Sequence, residues 1–522
     1  MIKEKNIFIK KLKKNDIRFA LTYPNIYRTA MSSLGYGILY DRINERKDTW
    51  CERVIYPNTK SIESNTPLRN FDIISFTLQF EEDYFNLIEM MKKSEIPPKR
   101  SQRGKNYPLI IAGGPCATAN PKPLSQFIDI FVIGEGEEIL DKIIDKYKKT
   151  RNPKNFLDIK GVYIPELDNE AEIVVVKNMD YAHHITRPIL TNTTDKEYES
   201  VFKDSIMLNV SRGCTRGCRF CMTSYLYRPM RQTNIEKLID TAIESRKNTG
   251  LNKITLIGAA VSDYDKIELL ISKLEKENFQ ISTPSLRIES ITYESLKLLS
   301  DSGLKTITLA PESIEKLRKR INKNIPDSKI FEVIKNAVEL DFNIKLYFLI
   351  GLPYENMEDI KELCDYIEKI ANMHKSIYNV KFSINPVVPK PHTPLQWTQY
   401  NYKDIRKKSK YIKKRLKKYD INIENPKKSL IQYILSCGDE NIGEIILKTQ
   451  NQNVTIHEWM KYTPKYNLND ELPWDKLNVG VKKDFLIKEF EKIKTQEQTP
   501  WCEISACYNC GACEKYKLKR RI

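Results

Sequence analysis

Long apolar runs are missing from this chain of 522 residues. No stretch approaches the ~18 consecutive apolar residues that read as a membrane helix. The opening MIKEKNIFIKKLKK puts charges where a secretory signal needs an apolar core, so the expected location is the cytoplasm. Histidine is scarce, with five residues at 183, 184, 374, 392 and 457, and none falls in the first third of the chain. Acid is outnumbered by base, 68 Asp and Glu against 86 Lys and Arg, a net +18. Such a surplus invites a phosphate-bearing partner. The lysines are spread over the whole sequence, however, with denser runs only at 406–418 and 514–522. The main reading is therefore a solvated basic surface, with a nucleic-acid partner as the lesser one.

Cysteine is not lacking, and its placement is informative. Of eleven, seven fall in two tight groups, at 214, 218, 221 and at 502, 507, 510, 513, while Cys51, Cys116, Cys364 and Cys437 are scattered. Disulfides do not persist in a reducing compartment, so clustered thiols read as metal ligands and scattered ones as small buried residues.

Length and 41% hydrophobic content predict two to four domains with real cores. Short apolar runs at 17–22, 72–78, 108–112 and 129–133 alternate with helix-period segments such as 83–94 and 137–148. That alternation predicts an open, Rossmann-like parallel α/β sheet over residues 1–165. Residues 166–200 are polar and weakly periodic, and read as a connector. Strands expected at 205–210, 253–258, 281–288, 305–310, 343–350 and 379–385, with helices between, predict a partial (β/α)6 barrel over 201–400, its site at the strand C-termini. Residues 401–522 form a small, charged α+β region that carries the second cysteine group.

Directly after the first strand of the second block comes SRGCTRGCRFCM, from Ser211 to Met222. Thiolates spaced C-x3-C-x2-C reach three corners of a cubane iron–sulfur cluster, and Gly213 and Gly217 let the loop curl around it. The fourth iron then lacks a protein ligand and is open to a substrate. Zinc is the alternative, but a structural zinc site takes four ligands and no fourth Cys or His lies nearby.

This motif resembles the radical S-adenosylmethionine (SAM) superfamily. The resemblance implies a [4Fe-4S] cluster on Cys214, Cys218 and Cys221, and SAM on the open iron. It further implies reductive cleavage to a 5′-deoxyadenosyl radical, with electrons from an external donor such as a ferredoxin or flavodoxin. Phe220 is implied beside the adenine. Later positions follow in family order. Gly258-Ala259-Ala260 stands where relatives carry Gly-Gly-Glu, without the acid. Arg287 and Glu289 are implied at the barrel mouth, Glu312 as a SAM-contacting acid and Lys323 as a partner of the SAM carboxylate. Gly351 to Glu355 resembles the family's GLPGET-type turn.

The first block resembles the cobalamin-binding domains found ahead of such barrels. Ser75, Thr77 and Leu78 end one strand, Gly113 and Gly114 end the next, and Gly134-Glu135-Gly136-Glu137 opens the last helix, whose N-terminus favours a phosphate-bearing tail. Ordinary βα turns are the alternative. The D-x-H-x-x-G motif that supplies histidine to cobalt is absent. Three N-terminal cysteines, which a methylthiotransferase needs for its auxiliary cluster, are absent too.

The terminal C-x4-C-x2-C-x2-C of Cys502, Cys507, Cys510 and Cys513 reads as a second metal site, iron before zinc. The three-part layout with terminal cysteines also resembles an uncharacterised group of radical SAM proteins. His392, in PKPHTPLQW, is a candidate near the barrel mouth, with a structural role as the main alternative. Tyr23, Tyr27 and Tyr347 are ligand-facing candidates or core residues. The resulting expectation is a cobalamin-dependent methyltransferase of an unactivated carbon, with a peptide or protein substrate preferred. Its rivals are a cobalamin-independent enzyme modifying tRNA or a peptide, and a non-enzymatic iron–sulfur or nucleic-acid-binding protein.

Overall fold

The computed structural model describes residues 3–191, 195–283, 286–502, 507 and 509–518. The first block is a six-stranded sheet. Its strands are β1 (Ile17–Tyr23), β2 (Thr49–Ile55), β3 (Ile73–Thr77), β4 (Leu109–Gly113), β5 (Ile130–Val132) and β6 (Val162–Tyr163). Their order is β2-β1-β3-β4-β5-β6, and only β6 runs antiparallel. The strands are buried almost throughout, as a parallel sheet covered on both faces requires. Helices α1 (Leu34–Asn44), α2 (Asp83–Lys93) and α3 (Leu140–Tyr147) each bury an apolar stripe.

One strand was not expected. The sequence TWCERVI of β2 carries two charges, yet Glu52 and Arg53 are fully buried. Glu52 accepts hydrogen bonds from Ser61 and Ser64. Arg53 pairs with Glu4 and Glu63, both at 2.6 Å. Buried charge is tolerated where it is paired and hydrogen-bonded, and those partners come from elsewhere in the chain.

The second block is an arc of parallel strands in two groups. The first comprises β7 (Ile206–Asn209), β8 (Lys253–Ile257) and β9 (Gln280–Ser282). The second comprises β10 (Thr306–Glu312), β11 (Asn343–Ile350), β12 (Val380–Pro386) and β13 (Asp420–Ile423). The groups meet where Leu286 N–H donates to Thr308 O at 3.2 Å.

Two expectations are corrected here. The strand expected over 281–288 ends at Ser282, and Ile288–Ser290 forms a 3₁₀ turn. The arc also takes a seventh strand, β13, from beyond residue 400. Its four residues, DINI, are too short and polar to announce themselves.

The 166–200 stretch does more than connect. Ala171–Glu172 pairs with Leu477–Asn478, and Leu190–Thr191 pairs with Glu4–Lys5, so it straps the blocks together. Among the described residues, no helix is long and apolar enough to cross a membrane.

Candidate active site

Strand β7 delivers the chain into the cysteine loop. Ser211–Arg212 pairs with Arg231–Gln232 and pins the loop's two ends. Gly213 sits at φ +85°, and a Cβ there would stand 2.1 Å from Tyr227 O. Only glycine fits. Cys214 and Cys218 are buried and Cys221 is half-buried.

Among the described residues, no three Cys, His, Asp or Glu side chains converge on one ion position. A cubane spreads its ligands over separate irons, so three thiols around a loop match it better than they match a single ion. Burial pushes the Cys218 thiol up to about 12, against the pull of Arg287 and Lys323; metal coordination reverses such a penalty.

Cationic and polar groups surround the thiols. Arg287 Nη2 donates to Cys214 Sγ at 3.3 Å, and Arg287 Nη1 faces Glu289 at 3.4 Å. Burial works against the Arg287 charge, but Cys214, Cys218 and Glu289 outweigh it and raise its pKa. Lys323 Nζ donates to Glu312 Oε1 at 2.8 Å, both groups being buried. Glu312 lies at φ +68° on a bulge at the end of β10. Such strain costs about 1–3 kcal/mol and concentrates at functional sites. Ser211 Oγ, Thr215 Oγ1, Arg216 Nη1, Glu289 Oε2 and Ser313 Oγ are buried without a hydrogen-bond partner among the described residues. Buried polar atoms are normally satisfied. A cluster of orphans around thiols is what a polar, charged ligand and an anionic cluster would complete, so the donor set fits both.

A cavity of about 450 Å³ separates this loop from the first sheet. The sheet side contributes Ser75, Thr77, Gly113, Gly114, Gly134, Glu135 and Gly136, together with aliphatic side chains such as Leu34, Val132 and Leu140. The barrel side contributes Asn209, Ser211, Gly213, Tyr227 and Gly258. The two groups of residues, far apart in sequence, thus line one space.

A family model described as the Radical SAM superfamily matches residues 208–367, and one described as radical SAM proteins, N-terminal, matches 35–165. An uncharacterised protein of Methanocaldococcus jannaschii is 33% identical over 448 residues, 84% of this chain and 92% of that one. The chain belongs to the radical SAM superfamily. Among solved structures, the radical SAM methyltransferase TsrM from Kitasatospora setae, with cobalamin and a [4Fe-4S] cluster bound, is similar at TM-score 0.53 and 13% identity. That likeness covers 73% of this chain and 77% of TsrM. The cobalamin-dependent SAM radical enzyme OxsB, with aqua-cobalamin and SAM bound, is similar at TM-score 0.51 and 13% identity, over 92% of this chain and 79% of OxsB.

Within this radical SAM fold, several expected residues have different surroundings. Leu78 does not line the cavity. It is fully buried, and its backbone packs against Gly114, where a Cβ would meet Leu78 O at 2.6 Å. Gly134 makes room in the same way for Val174, whose carbonyl a Cβ would approach to 2.1 Å. These two glycines therefore admit neighbouring backbone.

Glu135 reaches the cavity wall but spends its carboxylate on the barrel. It accepts from Arg231 at 2.9 and 3.1 Å, from Val176 N at 2.6 Å, and pairs with Arg212 at 3.1 Å. Burial pushes its pKa up, but Arg231 and Arg212 hold it below the usual carboxylate value.

Phe220 is half-buried against the core. His392 is buried at φ +57° beside Trp474, in a separate cavity of about 950 Å³ formed with residues 170–172, 474–483 and 511–515. It does not line the cavity at the cluster loop. Tyr23 is core, and Tyr27 O–H donates to Glu4 at 2.5 Å. Tyr347 is half-buried on β11 under the Lys345 ammonium.

The sequence reading missed Asp263. It follows the Gly258-Ala259-Ala260 turn, accepts from Arg216 Nε at 2.8 Å and from Ser290 Oγ, and faces Arg287 at 3.5 Å. The acid sought directly after β8 was absent, and this one arrives a 3₁₀ turn later. Its signal was the basic pair Arg216 and Arg287, whose charges needed a partner.

The first of the terminal cysteines lies against the same loop. Cys502 N–H donates to Thr215 O at 3.2 Å. Cys502 and Cys513 are half-buried, Cys510 is buried and Cys507 is exposed. Burial pushes the Cys513 thiol up to about 11, reinforced by nearby Cys502, Cys510 and Cys507.

Proposed function

We propose that this radical SAM enzyme is a cobalamin-dependent methyltransferase acting on an unactivated carbon, with a peptide or protein substrate preferred. The observation that carries this reading is the cavity between the carboxyl ends of the first sheet and the cysteine loop. Its mainly apolar wall suits a flat macrocycle, and Ser75, Thr77 and the Gly113 backbone offer polar contacts. No histidine lines it among the described residues, so the chain offers no imidazole to cobalt there. When bound, the cluster with SAM supplies a carbon-centred radical and the corrinoid supplies a methyl group.

The chain's own residues hold and orient these groups. Cys214, Cys218 and Cys221 ligate the cluster. Arg287 sets the charge at the Cys214 thiolate. Glu312, Glu289 and Lys323 would receive the ionic end of SAM and Phe220 would pack on its adenine, while Gly258, where a Cβ would meet Ser211 Oγ at 2.7 Å, lets the loop lie close to β8. The burial of Cys214 and Cys218 would limit the access of water to the bound groups.

The test is anaerobic reconstitution with hydroxocobalamin, read by corrinoid absorbance and by methylated product or 5′-deoxyadenosine. Stoichiometric corrinoid retention is expected. Turnover of SAM to 5′-deoxyadenosine with no corrinoid retained overturns the methyltransferase reading and leaves the radical one. A cobalamin-independent enzyme acting on tRNA has one observation in its favour. The helix α4 (Tyr402–Arg415) turns Lys403, Arg406, Lys407, Lys410, Lys413 and Lys414 to solvent. Salt-sensitive retention of RNA by the purified chain, with no corrinoid bound, supports that second reading.

A further inference from the structure

The barrel strands β10, β11 and β12 present two unlike faces. Outward, Ile344, Leu346, Phe348 and Ile350 of β11 are at most 1% exposed. Inward, Lys345, Tyr347 and Leu349 of the same strand are half-buried. Their inward neighbours, by register, are Thr308 on β10 and Ser383 and Asn385 on β12. A closed barrel fills its interior with packed, branched apolar side chains. This arc instead lines its interior with hydroxyls, an amide and an ammonium.

Lys345 carries the positive charge there. Among the described residues no carboxylate lies within ion-pair reach of it. The acid in its register, Asp420 on β13, stands two strands away and faces Lys381 at 3.4 Å. A lysine near a rim usually extends its charge to water. The Lys345 ammonium instead stays inside, 5.0 Å from the centroid of the Tyr347 ring, which stands two residues closer to the barrel mouth. A ring attracts an ammonium but leaves its charge uncompensated. The side chains of Thr308, Tyr347, Ser383 and Asn385 likewise make no hydrogen bond to another described residue, although polar groups in an interior are normally satisfied.

We propose that Lys345 is a specificity-determining residue that receives a carboxylate of the substrate peptide, with the Tyr347 and Ser383 hydroxyls donating to the same group. One ammonium matches one negative charge, and the two oxygens of a carboxylate accept the hydroxyl donors as well. Phosphate recognition favours clustered cations, arginine above all, and β10 to β12 hold no arginine. Lys345 lies three residues before Phe348, the register partner of Glu312, or about 10 Å deeper at ~3.3 Å per residue. The carboxylate thus anchors the substrate beneath the end of SAM that Glu312 and Lys323 receive. The inference rests on the active-site reading above and narrows its peptide substrate to one that brings an acid into the barrel.

The full chain, reconstituted anaerobically with iron, sulfide and hydroxocobalamin, is trace-acetylated on its amines, and Lys345 is followed by mass spectrometry. Two probes carry one carboxylate each: N-acetylglutamate α-amide on the side chain, and N-acetylglutamine at the chain end. N-acetylglutamine α-amide carries none, and inorganic phosphate is the fourth probe. A carboxylate probe is expected to protect Lys345 at a concentration roughly tenfold below that of the uncharged amide, the weight of one charge-assisted hydrogen bond. Lys381 is the internal control and should acetylate unchanged. Which carboxylate protects tells a side-chain acid from a chain end. Equal protection by the uncharged amide or by phosphate, or none by either carboxylate, would overturn the site, and this arm needs no variant. Lys345→Met should lose the saturation-transfer signal of the protecting probe and Lys345→Arg should keep it, in chains whose iron content shows the cysteine loop intact. An unchanged signal in Lys345→Met would also overturn the role. A wild-type chain that forms no 5′-deoxyadenosine from SAM and dithionite counts instead against the active-site reading; one that forms it and binds no carboxylate overturns this inference alone.

Discussion

Glu135 is the residue whose removal most directly tests how the two halves of the site are held. It lies on the first sheet's side of the cavity, while Arg231 and Arg212 flank the cysteine loop. In Glu135→Ala, Arg212 keeps Glu137 at 2.7 Å. Arg231, whose side chain is 5% exposed, is left with backbone carbonyl acceptors such as Val176 O and no carboxylate. Removing one partner of a buried ion pair destabilises by about 3–5 kcal/mol, since the other charge stays buried. That is a large fraction of the roughly 5–15 kcal/mol by which a domain is stable. The assay is a double-mutant cycle of Glu135→Ala and Arg231→Ala, read by urea unfolding and by amide exchange at residues 211–214. The single changes should each be severe and the double change little worse than either. Additivity within about 0.5 kcal/mol would refute the network as the link. The pH dependence has a definite sign. The folded pKa of Glu135 is depressed below 4.5, so its stabilisation is present above 4.5 and is lost as pH falls through the lower folded value.

Further outcomes follow from the same geometry. Gly213→Ala should strain the loop by at least about 1–3 kcal/mol and lower the iron retained after desalting. Arg287→Ala, which removes the cation at Cys214, should reduce 5′-deoxyadenosine formation roughly 10–100-fold and shift the cluster potential, while Arg287→Lys restores part of both. Glu312→Gln leaves Lys323 buried beside a neutral amide and should weaken SAM binding measured by calorimetry more than it lowers iron content. Burial holds His392 at about 4 against an ordinary 6.5. Stability should therefore fall by about 3 kcal/mol as pH drops from 6.5 towards 4, and His392→Gln should flatten that slope in an acid titration followed by fluorescence.

Much of this protein was legible in one dimension, for physical reasons that are local. Spacing of Cys214, Cys218 and Cys221 after an apolar strand needs no distant residue to be read, because three thiols on a tight glycine loop can serve few purposes. Apolar runs such as 343–350 announce parallel strands because burial on both faces leaves no polar alternation to confuse them. The strand β2 escaped because Glu52 and Arg53 read as exposed charges until Glu4, Ser61 and Glu63 are seen around them. Strand β13 escaped because four residues carry too little pattern.

The site divides along the same line. Sequence picked out the cysteine loop, and most of the polar and glycine residues at strand ends that line the cavity. Tertiary structure decided which of them face that space. Leu78 turned out to serve backbone packing, Gly134 both the cavity wall and the approach of Val174, Glu135 an ion pair across to Arg231, and Asp263 entered as the counter-charge to Arg216. It also decided that residues nearly three hundred positions apart, Thr215 and Cys502, share a hydrogen bond. Ligand chemistry belongs to side chains and can be read in order, whereas partnership depends on which buried charges and peptide groups meet when the chain closes.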